Sequence, residues 1–257
     1  MCRLAAYLGP DIPLERIVIL PKHSLLQQSQ QANEAKLAVN GDGFGIAWYS
    51  DEAEPGVYRD VLPAWSDGNL NSICRMTKSR LFLAHVRAST FGETSRSNCH
   101  PFSFGKWSFM HNGQIADFAH IRRGLEATLS DELYAHKRGT TDSELFFLLA
   151  LTNGLNENPK LAIEKTITQI TSAQTDIKQP NRITAVFSDG HKVYGFRCSS
   201  DKKSPTLYSS GELTSCGNAL ASEPLDGSKA NWTAIKEGEF IALSNDEITI
   251  SKLQIPC

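Results

Sequence analysis

Cys2 combines two groups that together could perform nucleophilic catalysis. A cysteine attacks a carbonyl carbon as its thiolate, so a base must first take the thiol proton. Once Met1 is removed, Cys2 carries a free α-amine, whose ordinary pKa of about 7.7–8.0 suits a general base near neutral pH. The position alone also fits a small apolar residue that opens an edge strand.

Polar groups elsewhere in the chain could bind an amino-acid substrate. Arg87 directly follows an apolar run, and its planar guanidinium suits bidentate capture of a carboxylate. Asn112 and Gly113 could aim a side-chain amide and a backbone N–H at one point, forming an oxyanion hole. Asp142, in the first turn of a predicted helix, could face a substrate ammonium group. Each also has a common structural interpretation: a surface ion pair, a tight hairpin turn and a helix cap.

Two further motifs favour structural interpretations over cofactor binding. Residues 40–45 read N-G-D-G-F-G and lack the lysine of a phosphate-binding loop, so they predict a turn that brings backbone close to a small ligand. Cys99 and His100 are adjacent, but no second pair follows at metal-binding spacing. The sequence therefore predicts no metal and no cofactor.

Short apolar runs bounded by Gly, Pro, Asn or Asp predict strands in the first part of the chain. Gly9-Pro10 is expected to end the first of these strands, and Asn112-Gly113 the last. Paired runs that flank short polar turns predict two hairpins near the end of the chain. The predicted strands cover residues 2–8, 44–49, 81–86, 107–110, 182–187, 192–197, 240–243 and 247–253.

Helices are predicted in the middle of the chain. The segment T-D-S-E at 141–144 indicates a capping box, in which Thr141 and Glu144 each bind the other's helix-start amide. The apolar run 145–151 then predicts a helix buried on several sides, and Pro159 opens a second helix. Strands, then helices, then strands indicate an α+β fold. With no linker in between, residues 1–257 are expected to form a single domain.

Composition and charge exclude several classes of protein. Lys and Arg number 26 against 28 Asp and Glu, for a net charge of -2, which disfavours nucleic-acid binding. No apolar run is long enough to cross a membrane, and no export signal is visible. The expected location is the cytoplasm, with reduced thiols.

The order of the motifs is more specific than any one of them. Cys2, the Gly-Asp-Gly turn, H-x-R-x-x-T-x-G, C-H-P-F, H-N-G and T-D-S-E follow one another along the chain. In this the sequence resembles the class II (N-terminal nucleophile) glutamine amidotransferases. The opening M-C-R and the segments D-G-F-G and V-R-A-S-T resemble a stand-alone branch of that family. This branch includes the γ-glutamyl amidohydrolase of ergothioneine biosynthesis and glutathione-degrading amidotransferase-like proteins.

The resemblance implies a fold and a set of roles. The fold would be a four-layer αββα sandwich, and the mature chain would start at Cys2, the nucleophile. Asn112 and Gly113 would form the oxyanion hole. Substrate binding would fall to Arg87 and Thr90 at the α-carboxylate and to Asp142 at the α-ammonium group. His100 would be a wall or structural residue without a catalytic part.

The resemblance leaves three functions open. The first is an amidohydrolase that cleaves a γ-glutamyl amide through a Cys2 thioester and releases glutamate. The second is a glutaminase subunit that delivers ammonia to a separate synthase chain. The third is a non-catalytic glutamine-sensing protein, motivated by Ala88 and Asn40, where larger family members commonly have Trp and Arg.

Overall fold

The computed structural model describes residues 2–34, 39–89, 93–175, 178–211, 217–228 and 230–255. Thr90, one of the predicted substrate-binding residues, lies outside these ranges. The helices are α1 (Glu15–Val18), α2 (Leu25–Gln30), α3 (Gly68–Met76), α4 (Phe118–Glu126), α5 (Asp131–His136), α6 (Asp142–Thr152) and α7 (Pro159–Ala173). The strands are β1 (Arg3–Pro13), β2 (Phe44–Trp48), β3 (Gly56–Asp60), β4 (Lys78–Val86), β5 (Phe102–Phe104), β6 (Trp107–Gln114), β7 (Arg182–Ser188), β8 (Val193–Ser199), β9 (Tyr208–Ser210), β10 (Asn218–Ala221), β11 (Trp232–Ala234), β12 (Glu239–Leu243) and β13 (Ile248–Lys252).

These strands form two antiparallel sheets. The first has the order β11-β9-β10-β1-β4-β2-β3, and the second has the order β13-β12-β8-β7-β6-β5. The predicted hairpins are confirmed as β7–β8 and β12–β13. No helix of the described ranges is long and apolar enough to span a bilayer.

Alternating side chains along β1 show how the layers stack. Leu4 and Leu8 belong to an apolar cluster shared by both sheets, whereas Ala5 and Tyr7 belong to a cluster shared with α1, α2 and α3. Successive strand residues point to opposite faces, so one face of the first sheet packs on the second sheet and the other on helices. The second sheet buries its outer face against α4, α6 and α7. The predicted α+β fold is confirmed, with two sheets between helical layers.

Helix α6 is the most deeply buried helix next to the predicted site. Its residues from Ser143 to Ala150 are all buried, because its apolar side chains project on every side. The Thr141 hydroxyl accepts a hydrogen bond from the Glu144 N–H at 3.2 Å, as the capping box predicts. In place of the predicted bond back to the Thr141 N–H, the Glu144 carboxylate accepts the N–H groups of Arg138 and Gly139 at 2.9 and 2.6 Å. Glu144 therefore ties the preceding loop to the helix.

Two predicted strand ends are wrong, for the same reason. β1 continues past Gly9-Pro10, where a register irregularity between Leu8 and Ile12 absorbs the break. β6 continues through Asn112-Gly113, which lies opposite Thr184 and Ile183 of β7. In both places, pairing with a neighbouring strand outweighs the local turn preference.

Candidate active site

A cavity of about 880 Å³ opens where β1 begins and β4 ends. Its walls include the predicted residues Cys2, Arg87, Gly113 and Asp142. The pairing of β1 with β4 explains why two of these residues, Cys2 and Arg87, lie close together. Arg3 lies opposite Val86 in the antiparallel register, so the residues one step further, Cys2 and Arg87, come together at the same end of the sheet.

Arg87 presents a buried cation to this cavity. Only 4% of its surface is exposed. Its guanidinium donates to the Ser89 hydroxyl at 3.0 Å and to the Asp42 carbonyl at 3.4 Å. Within the described ranges it forms no ion pair with a carboxylate. A buried charge without a partner is costly, so the arrangement suits an anionic ligand.

Asp142 presents the opposite charge from the start of α6. One carboxylate oxygen accepts the Ile115 N–H at 2.9 Å, and the other accepts the Ser143 hydroxyl at 3.1 Å. The same hydroxyl lies 2.8 Å from Nδ1 of His111. Since Ser143 donates its proton to Asp142, Nδ1 of His111 must be the donor in that contact. This chain of bonds orients the carboxylate while leaving it at the cavity wall.

Asn112 and Gly113 lie side by side in β6. Asn112 is fully buried and does not line the cavity, and both polar atoms of its side-chain amide lack a hydrogen-bond partner in the described structure. Gly113 lines the cavity and has a φ of 149°. A Cβ there would lie 1.8 Å from the carbonyl oxygen of Arg182, so only glycine fits. Gly113 therefore lines the cavity beside an amide that no described group satisfies, and the oxyanion-hole role of the pair stays a prediction.

Cys2 is half-buried, and its thiol donates to the Ala88 carbonyl at 3.7 Å. Burial raises the pKa of this thiol above its ordinary 9.0, and the nearby charges of Arg87 and Arg3 act in the opposite direction. The thiol is therefore protonated at neutral pH, and a base is needed to generate the nucleophile.

The histidines near Cys2 are buried and neutral. The rings of His85 and His100 lie 4.2 Å apart, and none of their nitrogens has a hydrogen-bond partner in the described part of the chain. Burial lowers the pKa of His85 to about 3, and it lowers the pKa of His100 well below 6.5. Neutral rings in these positions pack without adding charge to the cavity.

The glycine-rich turn contacts the protein itself. A Cβ on Gly43 would meet the Cys99 sulfur at 2.6 Å, and one on Gly45 would meet the His100 carbonyl at 2.2 Å. Neither glycine lines the cavity, and both make room for the 99–100 segment, so the approach of this turn to a ligand stays a prediction.

Asp42, from the same turn, is a residue that the sequence analysis missed. Its carboxylate accepts the Ser89 N–H at 2.7 Å, and its backbone N–H donates to the Arg87 carbonyl at 3.0 Å. It thus supports the segment that carries the guanidinium. Ser143 was also missed, although its place beside Asp142 in T-D-S-E was a signal. No pattern in the sequence connects Asp42 with Arg87.

Comparisons with known proteins agree on one family. A family model described as class II glutamine amidotransferases matches residues 23–209. The "Probable glutamine amidotransferase DUG3" of Saccharomyces cerevisiae is 30% identical over 97% of this chain and 84% of its own length. A gamma-glutamyl-hercynylcysteine sulfoxide hydrolase of Mycolicibacterium smegmatis is 28% identical over 98% of this chain and 100% of its own.

Solved structures agree on the fold. A glutamine aminotransferase class-II domain protein from Silicibacter pomeroyi superposes with a TM-score of 0.76 and 34% identity, over 98% of this chain and 99% of that chain. A glutamine phosphoribosylpyrophosphate amidotransferase from B. subtilis superposes with a TM-score of 0.68 at 14% identity, over 99% of this chain and 50% of that chain. At that identity the second likeness concerns the fold alone.

The buried histidines predict a loss of stability in acid. With the folded-state pKa of His85 at about 3, against an ordinary 6.5, only the unfolded chain gains its proton between those values. The free energy of unfolding should then fall by about 1.4 kcal/mol per pH unit for each such histidine as pH drops. A His85→Phe variant should have a shallower slope between pH 6 and 4 in urea unfolding. Above pH 7, where both states hold a neutral ring, the slopes should coincide. Equal slopes in acid would contradict a neutral, buried His85.

Proposed function

The chain belongs to the class II glutamine amidotransferases, as its motifs predict, and on this premise we propose that it hydrolyses γ-glutamyl amides with Cys2 as nucleophile. One observation carries the proposal. A single cavity brings together a thiol, a buried guanidinium without a carboxylate partner among the described residues, and an oriented carboxylate. The proposal treats residues 2–257 as one mature domain, which the apolar layer shared by the two sheets supports.

The charges of the cavity complement the headgroup of glutamate. The Arg87 guanidinium would take the substrate α-carboxylate, and Asp142 would take the α-ammonium group. Thr90, three residues beyond Arg87, keeps its proposed place beside the carboxylate. Two opposite charges at fixed positions select an α-amino acid end and leave the γ-amide to face the sulfur.

The reaction would proceed through a thioester. The α-amine of Cys2 takes the thiol proton, the thiolate attacks the γ-carbonyl carbon, and a tetrahedral intermediate forms. Its oxyanion would accept hydrogen bonds from the side chain of Asn112 and the N–H of Gly113. The C–N bond then breaks as the α-amine returns the proton to the leaving amine. Water hydrolyses the γ-glutamyl thioester, which releases glutamate and restores the thiol.

The cavity has room for a leaving group larger than ammonia. Its volume of about 880 Å³ falls in the range of roughly 300–1,000 Å³ that is typical of sites for larger ligands. Ala88, whose carbonyl contacts the Cys2 thiol, contributes only a methyl group to the wall. The mycobacterial relative, a gamma-glutamyl-hercynylcysteine sulfoxide hydrolase matched over 100% of its length, supports the same substrate class.

A substrate panel tests the proposal. The isolated protein should hydrolyse γ-glutamyl amides with substituted amines faster than glutamine, and Cys2→Ala should abolish hydrolysis. Cys74→Ala, which changes a buried thiol on α3, is the matched control and should retain activity. Hydrolysis of glutamine alone, rising when a synthase chain is added, would favour ammonia delivery. Binding of glutamine without turnover would favour a sensor.

Asn112→Leu separates catalysis from stability. A buried amide without partners costs the folded state about 1–3 kcal/mol, so a similarly sized apolar residue should leave the unfolding free energy unchanged or higher. Loss of one oxyanion donor should lower kcat by about 10²–10³. Steady-state kinetics and urea unfolding measure the two effects. A variant that keeps the wild-type kcat would exclude Asn112 from the oxyanion hole.

The proposed mechanism also requires the removal of Met1. While Met1 is attached, the nitrogen of Cys2 is an amide and cannot accept a proton, so the active form should begin at Cys2. Intact-mass measurement of the active protein should show the loss of one methionine residue. Full activity in protein that retains Met1 would disprove the α-amine as the base.

A further inference from the structure

Glu223 is a buried carboxylate outside the cavity, and no step of the proposed reaction uses it. It lies two residues beyond the end of β10, and 1% of its surface is exposed. It accepts hydrogen bonds from Nη1 of Arg3 at 3.1 Å and from Nε2 of His23 at 2.7 Å. It also accepts the N–H groups of Asn33 and Glu34 at 3.0 and 2.9 Å. One side chain therefore joins the first strand to the region around α2.

Arg3 depends on this carboxylate for its counter-charge. Its side chain is fully buried, and among the described residues Glu223 is its only ion-pair partner. Its Nε and Nη2 atoms lack hydrogen-bond partners there. Because an uncompensated charge in the interior is strongly unfavourable, contact with the Glu223 carboxylate stabilises the guanidinium in this position.

Ser222 holds the next residue of β1 in the same way. The Leu4 N–H donates to the Ser222 hydroxyl at 3.0 Å, and the Ser222 N–H donates to the Leu4 carbonyl at 2.9 Å. The consecutive residues Ser222 and Glu223 thus bind the consecutive residues Leu4 and Arg3. Cys2 follows directly, with its thiol on the Ala88 carbonyl.

A nucleophile at the chain terminus needs such an anchor. Terminal residues fray unless they are tied down, and attack on a carbonyl requires placement well within an ångström or so. We propose that Glu223 is a positioning residue, whose ion pair with Arg3 fixes the terminal residue Cys2 against the substrate. This inference rests on the proposed function, since it assumes that Cys2 attacks the γ-carbonyl.

The proposal separates kcat from KM. Arg87 and Asp142, which would bind the substrate headgroup, make no contact with Glu223 in the described structure. A Glu223→Gln variant keeps the size of the side chain but removes its charge. Its kcat should fall by about 10–100-fold with a γ-glutamyl amide, while KM stays within about twofold.

Asp67→Asn is the matched control. Asp67 is also a buried carboxylate that accepts two backbone N–H groups, those of Asn69 and Leu70, but it caps α3 and touches neither β1 nor the cavity. The Asp67→Asn variant should lose thermal stability and keep the wild-type kcat. If Glu223→Gln does not fold, Arg3→Gln removes the cation while the other Glu223 contacts remain, and it should show the same kcat loss.

Hydrogen exchange gives a readout that does not depend on activity. In Glu223→Gln or Arg3→Gln, the peptide containing Leu4 should exchange at least about tenfold faster than in wild type and in Asp67→Asn. Unchanged exchange at Leu4, or a folded variant with wild-type kcat, would overturn the inference. If the wild-type protein hydrolyses no γ-glutamyl amide, the proposed function fails, and unchanged or accelerated exchange at Leu4 still decides whether Glu223 anchors the terminus.

Discussion

The pairing of β1 with β4 is the constraint on which the site depends. Arg3 opposite Val86 brings the start of one strand to the end of its neighbour, so Cys2 and Arg87 meet although 85 positions separate them in the chain. Gly113 reaches the same cavity from β6 of the second sheet, and Asp142 reaches it from α6, which packs on that sheet. A slip of one residue in the β1–β4 register would turn the Cys2 side chain to the opposite face.

Several polar groups around this cavity are buried at a cost in stability. The Asn112 amide and the rings of His85 and His100 lack hydrogen-bond partners in the described structure, and Arg87 lacks a counter-charge there. Polar groups buried in a protein core normally have hydrogen-bond partners. Of these groups, Arg87 and His100 line the cavity, where a ligand can contact them, whereas Asn112 and His85 lie behind its wall.

Glycines and carboxylates set the backbone around the site. Gly113 permits close contact with Arg182, and Gly43 permits contact with Cys99. The Asp42 carboxylate accepts the Ser89 N–H, and the Glu223 carboxylate accepts those of Asn33 and Glu34, so each binds backbone from a segment distant in sequence. Charged side chains that bind backbone in this way fix loops without adding bulk to the cavity.

The sequence by itself determined the α+β order, helix α6 with its Thr141 cap, and the residues whose chemistry suits a γ-glutamyl amide. These follow from local patterns: periodicity, caps and the ordered motifs. Only the tertiary structure decided that Asn112-Gly113 lies within a strand, that Asp42 binds the segment after Arg87, and that Glu223 pairs with Arg3. Those features depend on strand pairing and on contacts between distant segments, which no local pattern encodes.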